Sequence, residues 1–281
     1  MIIRIRKRLI AAVCAAALVF SVFIAAQERG QDGSTVEMPA IMYHLINEDS
    51  SQSGKYVITP ARFESDMQYL CDNGYTAVTV GQLLDFAENG TPLPDKPVLI
   101  TFDDGYESFY VYAFPVLKKL GMSAVLSVIG TYSELYSNCE DHNVKYSHCT
   151  WEHIAEMAQS GAVDIGNHTW DLHTLDKRKG CAIIRGENVE QYSEMLVSDV
   201  SKLQDKLEEV TGTAPVLFTY PFGRCCSEAA DTIDKMGFKI TLGCEEKINR
   251  LTPNDPDCLK KIRRFNRDGR LTTQEFFKKI L

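Results

Sequence analysis

Short apolar runs alternate with helical patterns along most of this 281-residue chain. The clearest helical pattern covers 188–210, where apolar residues recur at steps of three and four. The segment Pro97–Phe102 is almost entirely apolar, which is typical of a buried strand. Alternating strand and helix patterns over this length predict an α/β fold with parallel strands surrounded by helices. In barrels of this kind the chemistry lies on loops at the C-terminal ends of the strands.

The remaining elements follow from the same periodicities and from capping residues. Further strands are predicted at 40–43, 75–79, 123–129, 162–165, 216–220, 238–242 and 261–265. Further helices are predicted at 60–73, 81–89, 108–120, 151–159, 228–236 and 273–281. The polar stretch 130–150 is predicted to be irregular.

The first 26 residues differ from the rest of the chain. Four cations precede an apolar run over 9–26 that only Ser21 interrupts. This pattern predicts either a cleaved signal peptide or an uncleaved membrane anchor, and the length of the run favours the anchor. Cations on the N-terminal side place the following residues outside the cytoplasm. We expect a polar linker over 27–37 and one folded domain over 38–281.

The charge balance limits the possible partners. The chain has a formal net charge of −8, and its four N-terminal cations leave −12 for residues 27–281. Such an acidic domain is a poor partner for nucleic acid or for anionic lipid headgroups. A neutral or cationic ligand is easier to accommodate.

The chain contains nine cysteines, of which eight follow the apolar run. An even number outside the cytoplasm permits disulfides, and Cys139 with Cys149 would close the most plausible short loop. Unpaired buried thiols are the alternative. No two cysteines form a CxxC pair, which argues against a structural zinc knuckle.

The sharpest chemical motif is TFDDG at 101–105, at the end of the apolar strand. Successive strand side chains point to opposite faces, so two adjacent carboxylates serve one site only where the strand breaks into a turn. Gly105 permits such a turn. One carboxylate can then bind a metal ion while its neighbour handles protons.

A second motif, NHTWDLH at 167–173, follows another predicted strand. Histidines five residues apart lie about 140° apart on a helix, so a shared metal site requires a loop here. Two imidazoles and one carboxylate leave open positions on a divalent ion, as catalysis requires. Zinc suits this donor set, and cobalt, nickel or iron are alternatives.

A third motif, TYPFG at 219–223, is also a turn at a predicted strand end. Backbone N–H groups in such a turn can stabilise a developing oxyanion. Tyr220 and Phe222 are therefore candidates for oxyanion stabilisation and substrate binding, and Pro221, which has no N–H, is a candidate for substrate binding.

Together these motifs resemble the polysaccharide deacetylase family, also known as the NodB homology domain or carbohydrate esterase 4, over roughly residues 38–270. The resemblance implies that Asp103 is the catalytic base. It implies that Asp104, His168 and His173 bind the metal ion.

Two departures from the usual pattern point to one branch of that family. The histidine spacing is five rather than four, and no histidine follows His173 to supply the general acid. Both features resemble the poly-N-acetylglucosamine deacetylase branch, in which the domain is circularly permuted. The fold this implies is a distorted (β/α) barrel of about seven strands. In that branch an N-terminal Tyr-His supplies the acid, which makes His44 the candidate.

A third departure concerns the arginine that steadies the base. Many family members have an arginine two residues before the Pro of the strand-end turn, where this chain has Thr219. Arg263 and Arg264, on the last predicted strand, are alternative partners for the base.

The resemblance implies a metal-dependent hydrolase that removes N-acetyl groups from a cell-surface or extracellular polysaccharide. We expect an acetylated glycan as partner, no nucleic acid, and a monomer. A peptidoglycan deacetylase, a carbohydrate O-acetyl esterase and a non-catalytic glycan-binding domain are the alternatives. An iron oxygenase with two histidines and one carboxylate would use a similar donor set, but the second adjacent aspartate argues against it.

Overall fold

The computed structural model of the protein describes residues 35–281. The apolar segment predicted at 1–26 lies outside the described residues, as does most of the linker predicted at 27–37. The first described strand begins at Val36 and so includes the end of that linker. Within residues 35–281, no helix is both long and apolar enough to cross a membrane.

The described chain contains twelve strands and eight α-helices. The strands are β1 Val36–Met38, β2 Ala40–Tyr43, β3 Leu45–Ile46, β4 Val57–Ile58, β5 Thr76–Ala77, β6 Pro97–Phe102, β7 Ala124–Val128, β8 Val163–Asn167, β9 Leu217–Thr219, β10 Ile240–Leu242, β11 Asn249–Leu251 and β12 Phe265–Asn266. The helices are α1 Pro60–Asp72, α2 Val80–Asn89, α3 Phe114–Leu120, α4 Gly130–Ser137, α5 Trp151–Gln159, α6 Val189–Thr211, α7 Ser227–Lys235 and α8 Thr273–Ile280. A turn of π-helix, Phe109–Ala113, leads into α3.

Seven parallel strands form the main sheet in the order β10-β9-β8-β7-β6-β2-β12. Strand β5 pairs with β6 outside this path. The sheet curls into a half-barrel flanked by helices, which confirms the predicted fold class. The N-terminal strand β2 lies between β6 and the C-terminal strand β12, as expected for a permuted domain. Two strands far apart in the described chain, β2 and β12, are therefore neighbours in the sheet.

The two faces of the sheet bury different apolar clusters. Val98 and Ile100 belong to one cluster, whereas Leu99, between them, belongs to another. This alternation is the two-residue period of a strand, and it explains why a strand covered on both faces has an apolar sequence. The carboxyl end of β6 is thereby fixed between two packed layers.

Several helix starts are set by side-chain caps. The Thr59 hydroxyl accepts from the Arg62 N–H, and Pro60 occupies the first turn of α1. Asn188 caps the long helix α6 in the same way. These local signals explain why both helices were predictable to within one or two residues.

Three features of the structure depart most from the predictions. Helix α4 lies within the stretch predicted to be irregular, and no side chain caps its start. The strand predicted at 261–265 is reduced to β12, because Lys261 has a φ of 55° and Ile262 makes an isolated bridge to Leu242. The antiparallel pair of β1 with β11 was not predicted.

Candidate active site

The loops that follow β2, β6, β8 and β9 meet at one cavity of about 560 Å³. All of them leave the C-terminal ends of their strands, as predicted for a fold of parallel strands. The candidate residues that line the cavity are His44, Asp103, Asp104, His168, His173 and Phe222. The sequence motifs are therefore brought together in space.

The turn after β6 separates the two adjacent carboxylates. The Asp103 N–H donates to the Tyr43 carbonyl at 3.0 Å, which continues the sheet by one residue. Asp104 then takes a left-handed φ of 71°, and Gly105 follows with 75°. A Cβ on Gly105 would lie 3.0 Å from Val128 Cγ1, so the position favours glycine both by conformation and by space.

Asp104, His168 and His173 form a compact group whose candidate ligand atoms all lie within 4.8 Å of one another. The Asp104 Oδ1 atom is 3.2 Å from His173 Nε2 and 3.6 Å from His168 Nε2. His168 Nδ1 lies 2.7 Å from the Thr219 carbonyl, which requires a proton on Nδ1 and leaves the Nε2 lone pair facing Asp104. This arrangement suits a cation between the three side chains.

An orphaned atom supports the same interpretation. Asp104 Oδ1 is buried and has no hydrogen-bond partner among the described residues. A buried carboxylate oxygen without a donor is costly unless a cation compensates for it. The donor set of two imidazoles and one carboxylate fits a divalent metal ion such as zinc.

Asp103 lies beside the group of Asp104, His168 and His173, but Arg264 holds it in place. Arg264 Nη1 and Nη2 donate to the two carboxylate oxygens of Asp103 at 2.7 and 2.8 Å, and both side chains are buried. Burial raises the pKa of Asp103, but the Arg264 charge and its hydrogen bonds outweigh that effect and lower it. The carboxylate is therefore ionised. Arg263, the other candidate, instead pairs with Glu245 in an exposed position.

His44 follows β2 and lies on the cavity wall. Its Nδ1 atom is buried and without a hydrogen-bond partner in the described part of the chain. Burial lowers the pKa of His44, against the opposing effect of the Asp103 and Asp104 charges. The Tyr56 ring covers the imidazole at a centroid distance of 4.7 Å.

The turn after β9 brings Phe222 but not its neighbours to the cavity. Phe222 has a left-handed φ of 57°, and its ring lies 4.3 Å from the His173 ring. Tyr220 and Pro221 are buried and do not line the cavity. The Tyr220 ring packs against Phe218 at 5.0 Å, in the apolar core.

Sequence reasoning missed other residues of the cavity wall. Tyr56, Tyr106, Cys244 and Glu246 line it, and no motif pointed to them. His148 is buried and stacks on Tyr106 at 4.6 Å.

The chain is similar to proteins that share these features. A family model described as polysaccharide deacetylase matches residues 90–241. A poly-β-1,6-N-acetyl-D-glucosamine N-deacetylase of Escherichia coli is 26% identical over 231 residues, covering 74% of this chain and 34% of that protein. A Bacillus subtilis protein, YxkH, is named as a polysaccharide deacetylase. It is 34% identical over 213 residues, covering 74% of this chain and 65% of that protein. The structure of IcaB from Ammonifex degensii superposes with a TM-score of 0.67 at 28% identity, covering 83% of this chain and 92% of that one.

The extent of these matches matters for the site. The chain spans about a third of the length of the Escherichia coli relative. The residues matched by the family model include Asp103, Asp104, His168, His173 and Phe222, whereas His44 and Arg264 lie outside them. The chain's own structure is therefore the source for the placement of His44 and Arg264.

Proposed function

This chain belongs to the polysaccharide deacetylase family, and we propose that it removes N-acetyl groups from a poly-β-1,6-N-acetylglucosamine-like polysaccharide. The observation that carries the proposal is the placement of Asp103 in one cavity with the Asp104, His168 and His173 group. The name of the Escherichia coli relative supports this substrate class.

We assign the metal site to Asp104, His168 and His173, with zinc as the preferred ion and cobalt, nickel or iron as alternatives. When bound there, a divalent ion would polarise the acetyl carbonyl and acidify a water molecule. The Thr219 carbonyl fixes the His168 tautomer that such binding needs.

Asp103 acts as the general base in this proposal. It takes a proton from the attacking water, and the fixed Arg264 fork keeps its carboxylate in one orientation. Arg264 also donates to the Thr101 hydroxyl at 3.0 Å and the Gly243 carbonyl at 2.8 Å. The arginine is therefore itself held in place, and it acts as a positioning residue.

His44 acts on the nitrogen of the amide, and Phe222 acts on its carbonyl oxygen. An amine is a poor leaving group until it is protonated, and His44 lies on the cavity wall where it can donate a proton to the departing nitrogen. The Phe222 N–H stabilises the oxyanion that develops on the carbonyl oxygen. Pro221 and Tyr220 serve this site indirectly, by packing the turn that carries Phe222.

Three further assignments complete the proposal. The domain acts outside the cytoplasm, as the sequence of residues 1–26 predicts, and it acts as a monomer. Its substrate is an acetylated glycan at or near the cell surface. Deacetylation leaves glucosamine, a cation at neutral pH, which the negative net charge of the domain attracts.

Acetate release from a panel of defined substrates tests the proposal. β-1,6-Linked N-acetylglucosamine oligomers should release acetate faster than peptidoglycan fragments or acetylated xylan. The variant Asp103→Asn should lose acetate release while keeping its metal content. The exposed Asp95→Asn variant is the matched control. Unchanged turnover in Asp103→Asn would remove the assigned base, and preference for another glycan would reassign the substrate.

A further inference from the structure

Three cysteines from two active-site segments lie together. Cys181, Cys225 and Cys226 belong to one apolar cluster, in which Cys181 is fully buried and the other two are half-buried. The Tyr192 hydroxyl donates to the Cys181 carbonyl and also lies 3.8 Å from Cys226 Sγ. One phenol thus contacts both cysteine segments.

These cysteines belong to two segments that build the cavity. The chain between β8 and α6 carries His173 and contains no helix or strand over residues 168–188. It approaches the turn after β9 so closely that a Cβ on Gly180 would lie 2.6 Å from the Pro221 carbonyl oxygen. The segments also meet in the cavity, where the His173 and Phe222 rings are 4.3 Å apart.

We propose that Cys181 forms a disulfide with one member of the Cys225–Cys226 pair, and that this bond ties the His173 segment to the Phe222 turn. All three thiols are free in the structure. A long irregular segment that supplies a ligand gains most from such a tie, because the bond restricts the conformations available to it.

Burial decides the order of the chemistry. The pKa of the Cys181 thiol lies well above its ordinary value. Burial is the main cause, followed by the charges of Asp199, Cys225 and Cys226. A half-buried thiol, Cys225 or Cys226, therefore reacts first, as a thiolate, with a small-molecule disulfide such as oxidised glutathione. That step forms a mixed disulfide and releases one glutathione thiolate.

The buried thiol then completes the exchange. Cys181 loses its proton and attacks the protein sulfur of the mixed disulfide, which releases the second glutathione thiolate. The two protons from the cysteines end on the two glutathione molecules. The protein is oxidised by two electrons, and the glutathione disulfide is reduced by two.

Peptide mapping of the full chain tests the bond independently of deacetylase activity. The protein is equilibrated with oxidised glutathione, alkylated and digested with trypsin without reductant. Cys181 then lies in the tryptic peptide 180–185, and both candidate partners lie in 225–235. We expect these two peptides to be joined, and fragmentation to identify the partner sulfur. A map in which 180–185 stays unjoined to 225–235 would overturn the proposal, whether or not Cys139 is linked to Cys149.

Thiol counts and thermal melts provide the control. Oxidised wild-type protein and the Cys258→Ser variant should each lose two thiols, and reductant should lower their Tm by about 5–10 °C. Cys181→Ser should stop at the mixed disulfide, losing one thiol to bound glutathione, and it should show a Tm that reductant changes little. Loss of two thiols in Cys181→Ser would contradict the assignment. The wild-type map decides the question even if that variant folds poorly.

Discussion

Arg264 binds both carboxylate oxygens of Asp103, although 161 residues separate them in the chain. The pair is buried on both sides, and it connects the end of β6 with the segment before β12. An ion pair in such a place fixes geometry more than it adds stability. It orients the carboxylate that we assign as the base.

Replacing Arg264 with Met should leave Asp103 buried without its partner. Removing one member of a buried pair typically destabilises a protein by about 3–5 kcal/mol. We expect a loss of this size in urea unfolding, together with loss of acetate release. The exposed neighbour provides the control, since Arg263→Met should change stability by less than about 1 kcal/mol. Equal effects of the two substitutions would contradict the positioning role.

Replacing His173 with Gln should weaken metal binding. Changes outside the ligand shell commonly lower metal affinity about 10–100-fold, and removal of a ligand should exceed that range. Zinc titration of the apoprotein measures the effect, and chelation followed by zinc addition should abolish and restore acetate release in the wild type. His153→Gln, which alters an imidazole stacked on Tyr110 away from the cavity, should bind zinc normally. Zinc affinity unaltered in His173→Gln would exclude this residue as a ligand.

Replacing His44 with Ala should lower kcat for amide substrates by about 10²–10⁴-fold. The effect should be much smaller for an activated ester such as 4-nitrophenyl acetate, because its leaving group does not need a proton. Steady-state kinetics on both substrates measure this difference, and metal content serves as the structural control. An equal loss on amide and ester would argue against a general acid at His44.

Replacing Gly105 with Ala should disturb the turn that aims Asp104. The left-handed φ of 75° is strained for alanine by about 1–2 kcal/mol, and the contact with Val128 adds to this strain. Gly121→Ala is a matched control, since Gly121 has a φ of 64° and a Cβ there would meet nothing within 4 Å. Both variants should lose stability in urea, but zinc affinity should fall in Gly105→Ala alone. A normal zinc affinity in Gly105→Ala would mean that Asp104 tolerates the change.

The sequence was most informative where local signals and burial agree. The bounds of β6 match the prediction, because its residues are apolar on both faces. Helix α1 matches within one residue because Thr59 caps it. Helix α4 escaped prediction since it begins without a side-chain cap and its residues are mostly polar. Its place is determined by the fold around it.

In the candidate site, too, local motifs predicted some features and tertiary packing determines the others. The three strand-end motifs predicted which loops would meet, because parallel strands present their carboxyl ends at one edge. The sequence left the choice between Arg263 and Arg264 open. Adjacent residues point in opposite directions, and the sequence does not show which direction leads to the site. Packing of the last segment against β2 decides it, by burying Arg264 and exposing Arg263. Tyr56 and Tyr106 reach the cavity through tertiary contacts that no local pattern records.

The position of β2 between β6 and β12 has a consequence for biosynthesis. His44 is translated well before Arg264. A growing chain therefore holds its proposed acid long before it can orient its proposed base. Catalytic competence should appear abruptly, once the final segment has docked, and C-terminal truncation before Arg264 should yield an inert enzyme.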